Sequence, residues 1–73
     1  MTEQVAISKS LLPHQLRVID ELNELDGRIR KLLDFMCSET FAGLPADEQH
    51  MLSIQASSMK VYYEVLTLRI SKF

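Results

Sequence analysis

The sequence has few of the residues that break helices or cross-link chains. Its 73 residues include two glycines, two prolines, one cysteine and no tryptophan. A single cysteine excludes an internal disulfide, and with only two histidines, at no metal-ligand spacing, we expect neither a metal nor a cofactor. A chain of this length buries only about 60% of its unfolded surface, so its own core is marginal. We therefore expect one domain that is stabilised by further copies of itself.

Long hydrophobic runs are also missing. No apolar stretch approaches the ~18 residues that span a bilayer. The first ten residues, MTEQVAISKS, lack the basic start and the cleavage site of a signal peptide. We expect a protein of a reducing cytoplasm that does not contact a membrane. The formal net charge of -2 argues against long nucleic acids, because a polyanion requires many phosphate-facing cations.

The first half of the chain has the pattern of a long amphipathic helix. Pro13 suits the first helical position, where its missing N–H would have had no partner. Apolar residues then recur every three or four positions, at Leu16, Ile19, Leu22, Leu25, Ile29, Leu32 and Met36. This spacing predicts a helix of about 25 residues. Gly27 interrupts it at a cost of roughly 1 kcal/mol relative to alanine.

The segment CSETFAGLPADEQ predicts a turn, closed by Phe41 and Leu44, with a second helix starting at Pro45. A coiled-coil-like seam contains Leu52, Gln55, Met59, Tyr62, Leu66, Arg69 and Phe73. A further apolar stripe contains Met51, Ile54, Val61, Val65 and Leu68. One partner helix does not cover both. The sequence therefore predicts an all-α fold: an antiparallel two-helix hairpin, residues 11–73, behind a short arm, residues 1–10, assembling into a homo-oligomer.

The stretch GRIRKLLDF gathers Arg28, Arg30 and Lys31 within four positions of an acidic chain. One interpretation is a solvated face of i,i+4 ion pairs: Glu24 with Arg28, Asp26 with Arg30, and Arg30 with Asp34. The other is an anion site, for which Arg28 and Lys31 are the first candidates because they share a face and Lys31 has no acid four positions before it.

Two other polar residues, Arg69 and Gln55, also admit two interpretations. Arg69 either projects its head to solvent at a frayed helix end or faces a symmetry axis. Gln55 either sets the register of the seam or contacts a ligand. His14 and Gln15 lie at the start of the first helix, where free N–H groups favour anions.

In an antiparallel hairpin, we expect Arg69 to return beside the start of the first helix and Arg28 to lie opposite Gln55. Tyr62 and Tyr63 are expected in the core or at its boundary. Cys37 is expected to be a half-buried filler at the end of the first helix. No phosphate loop, nucleophile motif or paired carboxylates occur, so we expect no enzyme.

The order of these motifs resembles the helical hairpin domain of phage anti-CBASS sponges, which is shared with anti-Thoeris sponges. The resemblance rests on LPHQLRVIDELNELDGRIRKLLDFM and FAGLPADEQHMLSIQASSMKVYYEVLTLRI, roughly residues 11 to 70. It implies a homo-hexamer that sequesters cyclic dinucleotides and trinucleotides in the host bacterial cytoplasm without cleaving them. It also implies that Arg28 and Lys31 bind dinucleotide phosphates, and that Arg69 with Arg30 serves a trinucleotide pocket.

His14 and Gln15 complete the expected dinucleotide site. Some sponges have an aromatic residue near this position for base stacking, and here only the imidazole of His14 offers a ring. The alternative from another class is a helical protein-interaction module that inhibits a host protein. In that case the cations stay in ion pairs and the apolar stripe of the second helix binds the partner.

Overall fold

The computed structural model describes residues 11–73, and all of its regular structure is helical. Helix α1 runs Pro13–Met36, the short helix α2 runs Glu39–Ala42, and helix α3 runs Ala46–Ile70. The all-helical prediction is confirmed, whereas the predicted arm, residues 1–10, lies outside the described residues. Helices α1 and α3 pack along each other, and the structure measures 48 × 20 × 15 Å.

The ends of the long helices follow from their local sequence. Pro13 is the first residue of α1, as predicted. Pro45 directly precedes α3 instead of opening it. Asp47 and Glu48 lie in the first turn of α3 and Arg69 in its last, so both signs of charge complement the helix dipole.

The connection between the long helices is more ordered than the predicted turn, because it contains α2. The hydroxyl of Ser38 caps this helix by accepting a hydrogen bond from the N–H of Phe41, 3.2 Å away. The rings of Phe35 and Phe41 meet edge to face, with centroids 6.0 Å apart. Phe41 and Leu44 are both half-buried, in keeping with their predicted place at the end of the hairpin.

Gln49 holds the connection onto the first turns of α3. Its side-chain Nε2 lies within hydrogen-bond distance of three main-chain carbonyl oxygens, at 3.1 Å from Phe41, 3.2 Å from Ala42 and 3.0 Å from Leu44. We refer to this arrangement as the Gln49 clasp. It gives the carbonyl groups of Ala42 and Leu44 a side-chain partner and adds a second donor to that of Phe41, which also accepts from the N–H of Leu44 at 3.0 Å.

The core is a thin layer between α1 and α3. Val18, Leu25, Ile29 and Leu66 form a buried cluster, and Leu66 is completely enclosed. The partly buried residues that pack against it are Leu22, Leu33, Met59, Tyr63 and Ile70. Such a layer supplies only a few large buried side chains, which fits the marginal stability expected of a chain this short.

The predicted seam of α3 is correct at three of its seven positions and wrong at the other four. Leu52, Met59 and Leu66 face inward, as expected. The positions between them that face inward are Ala56, Tyr63 and Ile70. The predicted ones, Gln55, Tyr62 and Arg69, are exposed, and so is Phe73.

The second apolar stripe of α3 is confirmed and points away from α1. Its five members are between 44% and 60% exposed: Met51, Ile54, Val61, Val65 and Leu68. Helix α3 therefore presents apolar side chains on two opposite sides, of which α1 covers one.

The register between the long helices differs from the expected one. A groove between them is lined by Asp26, Ile29, Lys60 and Tyr63. Arg28 therefore lies level with the turn around Val61, so the prediction that it faces Gln55 is wrong by about six residues, roughly 9 Å. The connection is the cause: helix α2 adds residues between the two long helices, and Gln49 in the first turns of α3 bonds to carbonyl groups of that connection.

Candidate anion-binding site

Arg28 and Lys31 project from the outer face of α1, away from the core. Both side chains are exposed. Three positions apart on a helix, their Cβ atoms are about 5–6 Å from each other. Within residues 11–73 neither has an acidic partner within 4 Å, so the predicted Glu24–Arg28 pair does not form there. The two cations therefore meet solvent side by side.

Arg30 differs from its two neighbours because it has a partner. Its Nε donates to Oδ2 of Asp26 at 3.0 Å, as predicted, whereas the described residues show no corresponding bond to Asp34. The side chain of Arg30 is 76% exposed and that of Asp26 is 40% exposed. An exposed pair of this kind contributes well under about 1 kcal/mol, so a stronger anion can displace it.

Gly27 leaves the surface next to the two cations open. Outside the adjoining turns of α1, a Cβ atom built there meets no atom within 4 Å, so packing within the described chain does not require a glycine. Gly27 and Lys31 lie four positions apart, on the same side of α1. A flat ligand or a second helix can approach the α1 backbone at this point.

His14 and Gln15 begin α1 at a distance from the cation pair. The side-chain Oε1 of Gln15 accepts a hydrogen bond from the N–H of Leu12 at 2.9 Å, which leaves its amide N–H groups for other partners. His14 is exposed. Because fourteen residues of helix separate His14 from Arg28, the two lie about 21 Å apart along the axis, and one chain does not unite them.

Arg69 lies exposed in the last turn of α3. The observed register places it level with Asp20 in α1, about 9 Å further along than the expected position beside His14. Arg30 is about ten residues, or roughly 15 Å, from that level. The structure therefore does not bring Arg30 and Arg69 together within one chain either.

The groove between α1 and α3 brings in two residues that the sequence did not indicate as site residues, Lys60 and Tyr63. Its volume is about 260 Å³, slightly below the ~300–1,000 Å³ of typical small-molecule pockets. Its lining contains the carboxylate of Asp26 as well as the amine of Lys60, so the groove carries one negative and one positive group and does not favour an anion. Only the observed register could have identified this groove.

Other kinds of site are not found in the described part of the chain. Residues 11–73 contain no group of three His, Cys, Asp or Glu side chains that could hold a metal ion. No helix there is both long and apolar enough to cross a membrane. Cys37 is exposed, so the expectation of a half-buried filler is wrong: as the residue that caps the end of α1, it lies beyond the packed layer.

Comparisons with known proteins agree with the sequence resemblance. The family model for Sequestin matches residues 12–72, almost the whole chain. A curated protein of Enterobacteria phage T4, described as an uncharacterized 7.5 kDa protein in the denB-rIIB intergenic region, is 40% identical over 63 residues. That alignment covers 86% of this chain and 98% of the phage protein. No solved structure matches.

Proposed function

Because the chain belongs to the Sequestin family, whose members are phage anti-CBASS sponges, we propose that it binds and sequesters cyclic dinucleotide and trinucleotide second messengers. It holds them without cleaving them and so keeps them from activating the CBASS effector in the infected cell. Sequestin is a family of binding proteins, not of enzymes.

The observation that carries this proposal is the exposed pair of Arg28 and Lys31. Two cations side by side, with no acidic partner among residues 11–73, suit a small dianion. A guanidinium binds phosphodiester oxygens through two parallel hydrogen bonds, and an ammonium adds a mobile point charge. The open backbone at Gly27 leaves room for the ligand beside them.

The proposed sites are completed by other copies of the chain. One copy contributes Arg28 and Lys31 to the dinucleotide, and a second contributes His14 and Gln15, since about 21 Å separates the two groups within one chain. Arg30 and Arg69 meet in the same way around a three-fold axis, where three copies converge their charges on a trinucleotide. A hexamer accommodates both kinds of site.

Native mass spectrometry tests this proposal directly. The protein is measured alone and with a panel of cyclic dinucleotides and trinucleotides. We expect a multimer that gains intact ligands in whole numbers, with fewer ligands than chains because each site is shared. A multimer that takes up no ligand would contradict the proposal.

The arginine and lysine assignments predict that neighbouring substitutions differ in their effect on ligand binding. Arg28→Ala and Lys31→Ala each weaken cyclic dinucleotide binding by roughly 10- to 100-fold, since each removes a charge-assisted bond of about 1.5–3 kcal/mol. Arg30→Ala is the matched control: it leaves dinucleotide binding unchanged and weakens only trinucleotide binding. Titration calorimetry with both ligands gives the comparison. Dinucleotide binding that survives both Arg28→Ala and Lys31→Ala would exclude this site.

A second function is favoured by the exposed stripe of α3. In that alternative, the protein is an interaction module whose stripe binds a host protein, and the cations are only solvated. The two functions separate cleanly, because the module binds no nucleotide and co-purifies with a defined host partner, which the substitutions at Arg28 and Lys31 do not affect.

A further inference from the structure

The outer side of α3 has a more regular pattern than a scattered apolar stripe. Eight residues recur there at alternating steps of four and three: Asp47, Met51, Ile54, Ser58, Val61, Val65, Leu68 and Lys72. This is the repeat of a coiled-coil seam. All eight are exposed. We refer to these eight residues as the outer seam.

The two ends of the outer seam carry opposite charges. Asp47 lies in the first turn of α3. Lys72 lies in the turn that directly follows α3, where its N–H bonds to the carbonyl of Arg69 at 3.0 Å. The six outer-seam residues between these two are uncharged. The seam is therefore uncharged between its ends. When a second copy runs antiparallel to it, each charged end meets a charge of the opposite sign.

That complementarity selects one partner and one orientation. Two antiparallel copies of α3 place Asp47 against Lys72, Met51 against Leu68, Ile54 against Val65, and Ser58 against Val61. All eight positions find a counterpart, and the contact is identical in both directions, as a two-fold axis requires. A parallel pair would instead oppose Asp47 to Asp47 and Lys72 to Lys72. The helix dipoles also favour the antiparallel arrangement.

Ser58 marks the middle of this contact. It lies beside the two-fold axis and is the one small polar residue between the charged ends. A small side chain there permits close approach of the two helices but buries little apolar surface. The contact is therefore weaker at its centre than on either side.

We infer that the outer seam joins two copies of the chain through an antiparallel, two-fold pairing of α3 with α3. The pairing covers the apolar side of α3 that α1 leaves exposed. It is independent of the nucleotide ligand, since Arg28 and Lys31 lie on the outer face of the other long helix. The proposed nucleotide sites need further copies of the chain but not this contact in particular, so Val61→Glu tests the contact and Arg28→Ala tests the ligand site.

Sedimentation equilibrium of the full chain tests the contact. The 8.4 kDa chain is expected to form assemblies of an even number of copies. Val61→Glu places two carboxylates next to the axis and halves the assembly, while Ser53→Lys, an exposed position of α3 off the seam, leaves it unchanged. A monomeric wild type, or an assembly that Val61→Glu does not alter, would overturn the inference.

A second substitution and a cross-linking experiment test the same contact if Val61→Glu impairs folding. Ser58→Leu fills the weak centre and is expected to tighten self-association at least tenfold. In a Cys37→Ser background, oxidation cross-links the double variant Met51→Cys/Leu68→Cys but not Met51→Cys alone, because in the antiparallel pair the two Met51 positions lie about 25 Å apart. Cross-linking of Met51→Cys alone, or weaker association of Ser58→Leu, would contradict this pairing.

Discussion

Gly27 stands in the middle of α1 without any contact that explains it. A glycine inside a helix loses more conformational freedom on folding than alanine does, at a cost of about 0.5–1 kcal/mol. Such glycines usually relieve a close approach by a neighbouring backbone, yet outside the adjoining turns of α1 no atom of the described chain lies within 4 Å of where a Cβ would stand. The missing side chain of Gly27 therefore affects only molecules that approach the outer face of α1, and it has no role in packing within the hairpin.

Replacing Gly27 by alanine is expected to stabilise the chain. We predict that Gly27→Ala raises the free energy of unfolding by about 0.5–1 kcal/mol in urea denaturation. Gly43→Ala, in the connection, is the control and has a smaller effect, because Gly43 lies outside a helix interior and its added Cβ makes only ordinary contacts at 3.7 Å. Destabilisation by Gly27→Ala would show that the α1 backbone packs closely against another molecule.

Among the cations, the sequence predicted which residues are neighbours but not which of them are paired. The i,i+4 spacing predicted Asp26–Arg30 correctly. The same rule predicted Glu24–Arg28, which does not form, because exposed pairs of equal spacing differ by fractions of a kcal/mol that depend on rotamers. Spacing alone is thus a weak guide to which arginine is available to an anion.

At the scale of the helix, periodicity predicted where α3 is apolar but not its full inward face. The residues Leu52, Met59 and Leu66 were placed correctly, since a repeat of seven fixes one line along the helix. The inward-facing residues between those three could lie one position earlier or later, at Gln55 and Tyr62 or at Ala56 and Tyr63. The observed packing decided it: Ala56 is buried, and Tyr63 is half-buried against the core cluster.

The Gln49 clasp predicts an unusual sensitivity to one polar substitution. Gln49→Glu replaces a donor by an acceptor among three carbonyl oxygens, so we expect a loss of about 2–3 kcal/mol, more than the ~1 kcal/mol expected for Gln49→Ala. Gln55→Glu is the matched control on the same helix. The amide of Gln55 is exposed, and its one hydrogen bond among the described residues is a long contact of 3.9 Å to the sulfur of Met59.

Urea denaturation of the three variants beside the wild type measures this difference. Equal stability of Gln49→Glu and Gln55→Glu would mean that the clasp does not hold the connection. The expected order, with Gln49→Glu least stable, would instead identify the connection as a rigid spacer between the long helices.

For the whole molecule, the offset between α1 and α3 was the feature that the sequence could not predict. Helix lengths and turn residues place the two helices side by side, but the register depends on how the connection folds. Here α2 and the Gln49 clasp engage the first turns of α3, and this shift separates Arg28 from Gln55. The same offset explains why several copies are needed to complete each proposed site. The residues of a site lie far apart along the long helices of one chain, and residue types alone do not reveal those distances.

Salt is expected to separate the two proposed interactions. Ligand binding through exposed cations weakens when ionic strength rises from about 0.1 M to about 1 M, because the screening length falls from about 10 Å to about 3 Å. Self-association through the mainly apolar outer seam changes little over the same range. Titration calorimetry and sedimentation at both salt concentrations measure the two effects. Equal loss of both would contradict a mainly apolar contact between copies.

The elongated shape has a practical consequence for hydrodynamic measurements. The radius of gyration is 16.1 Å, against about 11 Å for a compact domain of this length. A single chain therefore has more friction than its mass suggests and elutes from a sizing column earlier than a spherical standard of equal mass. Retention volume would overstate the number of copies, whereas light scattering at the column outlet counts them regardless of shape.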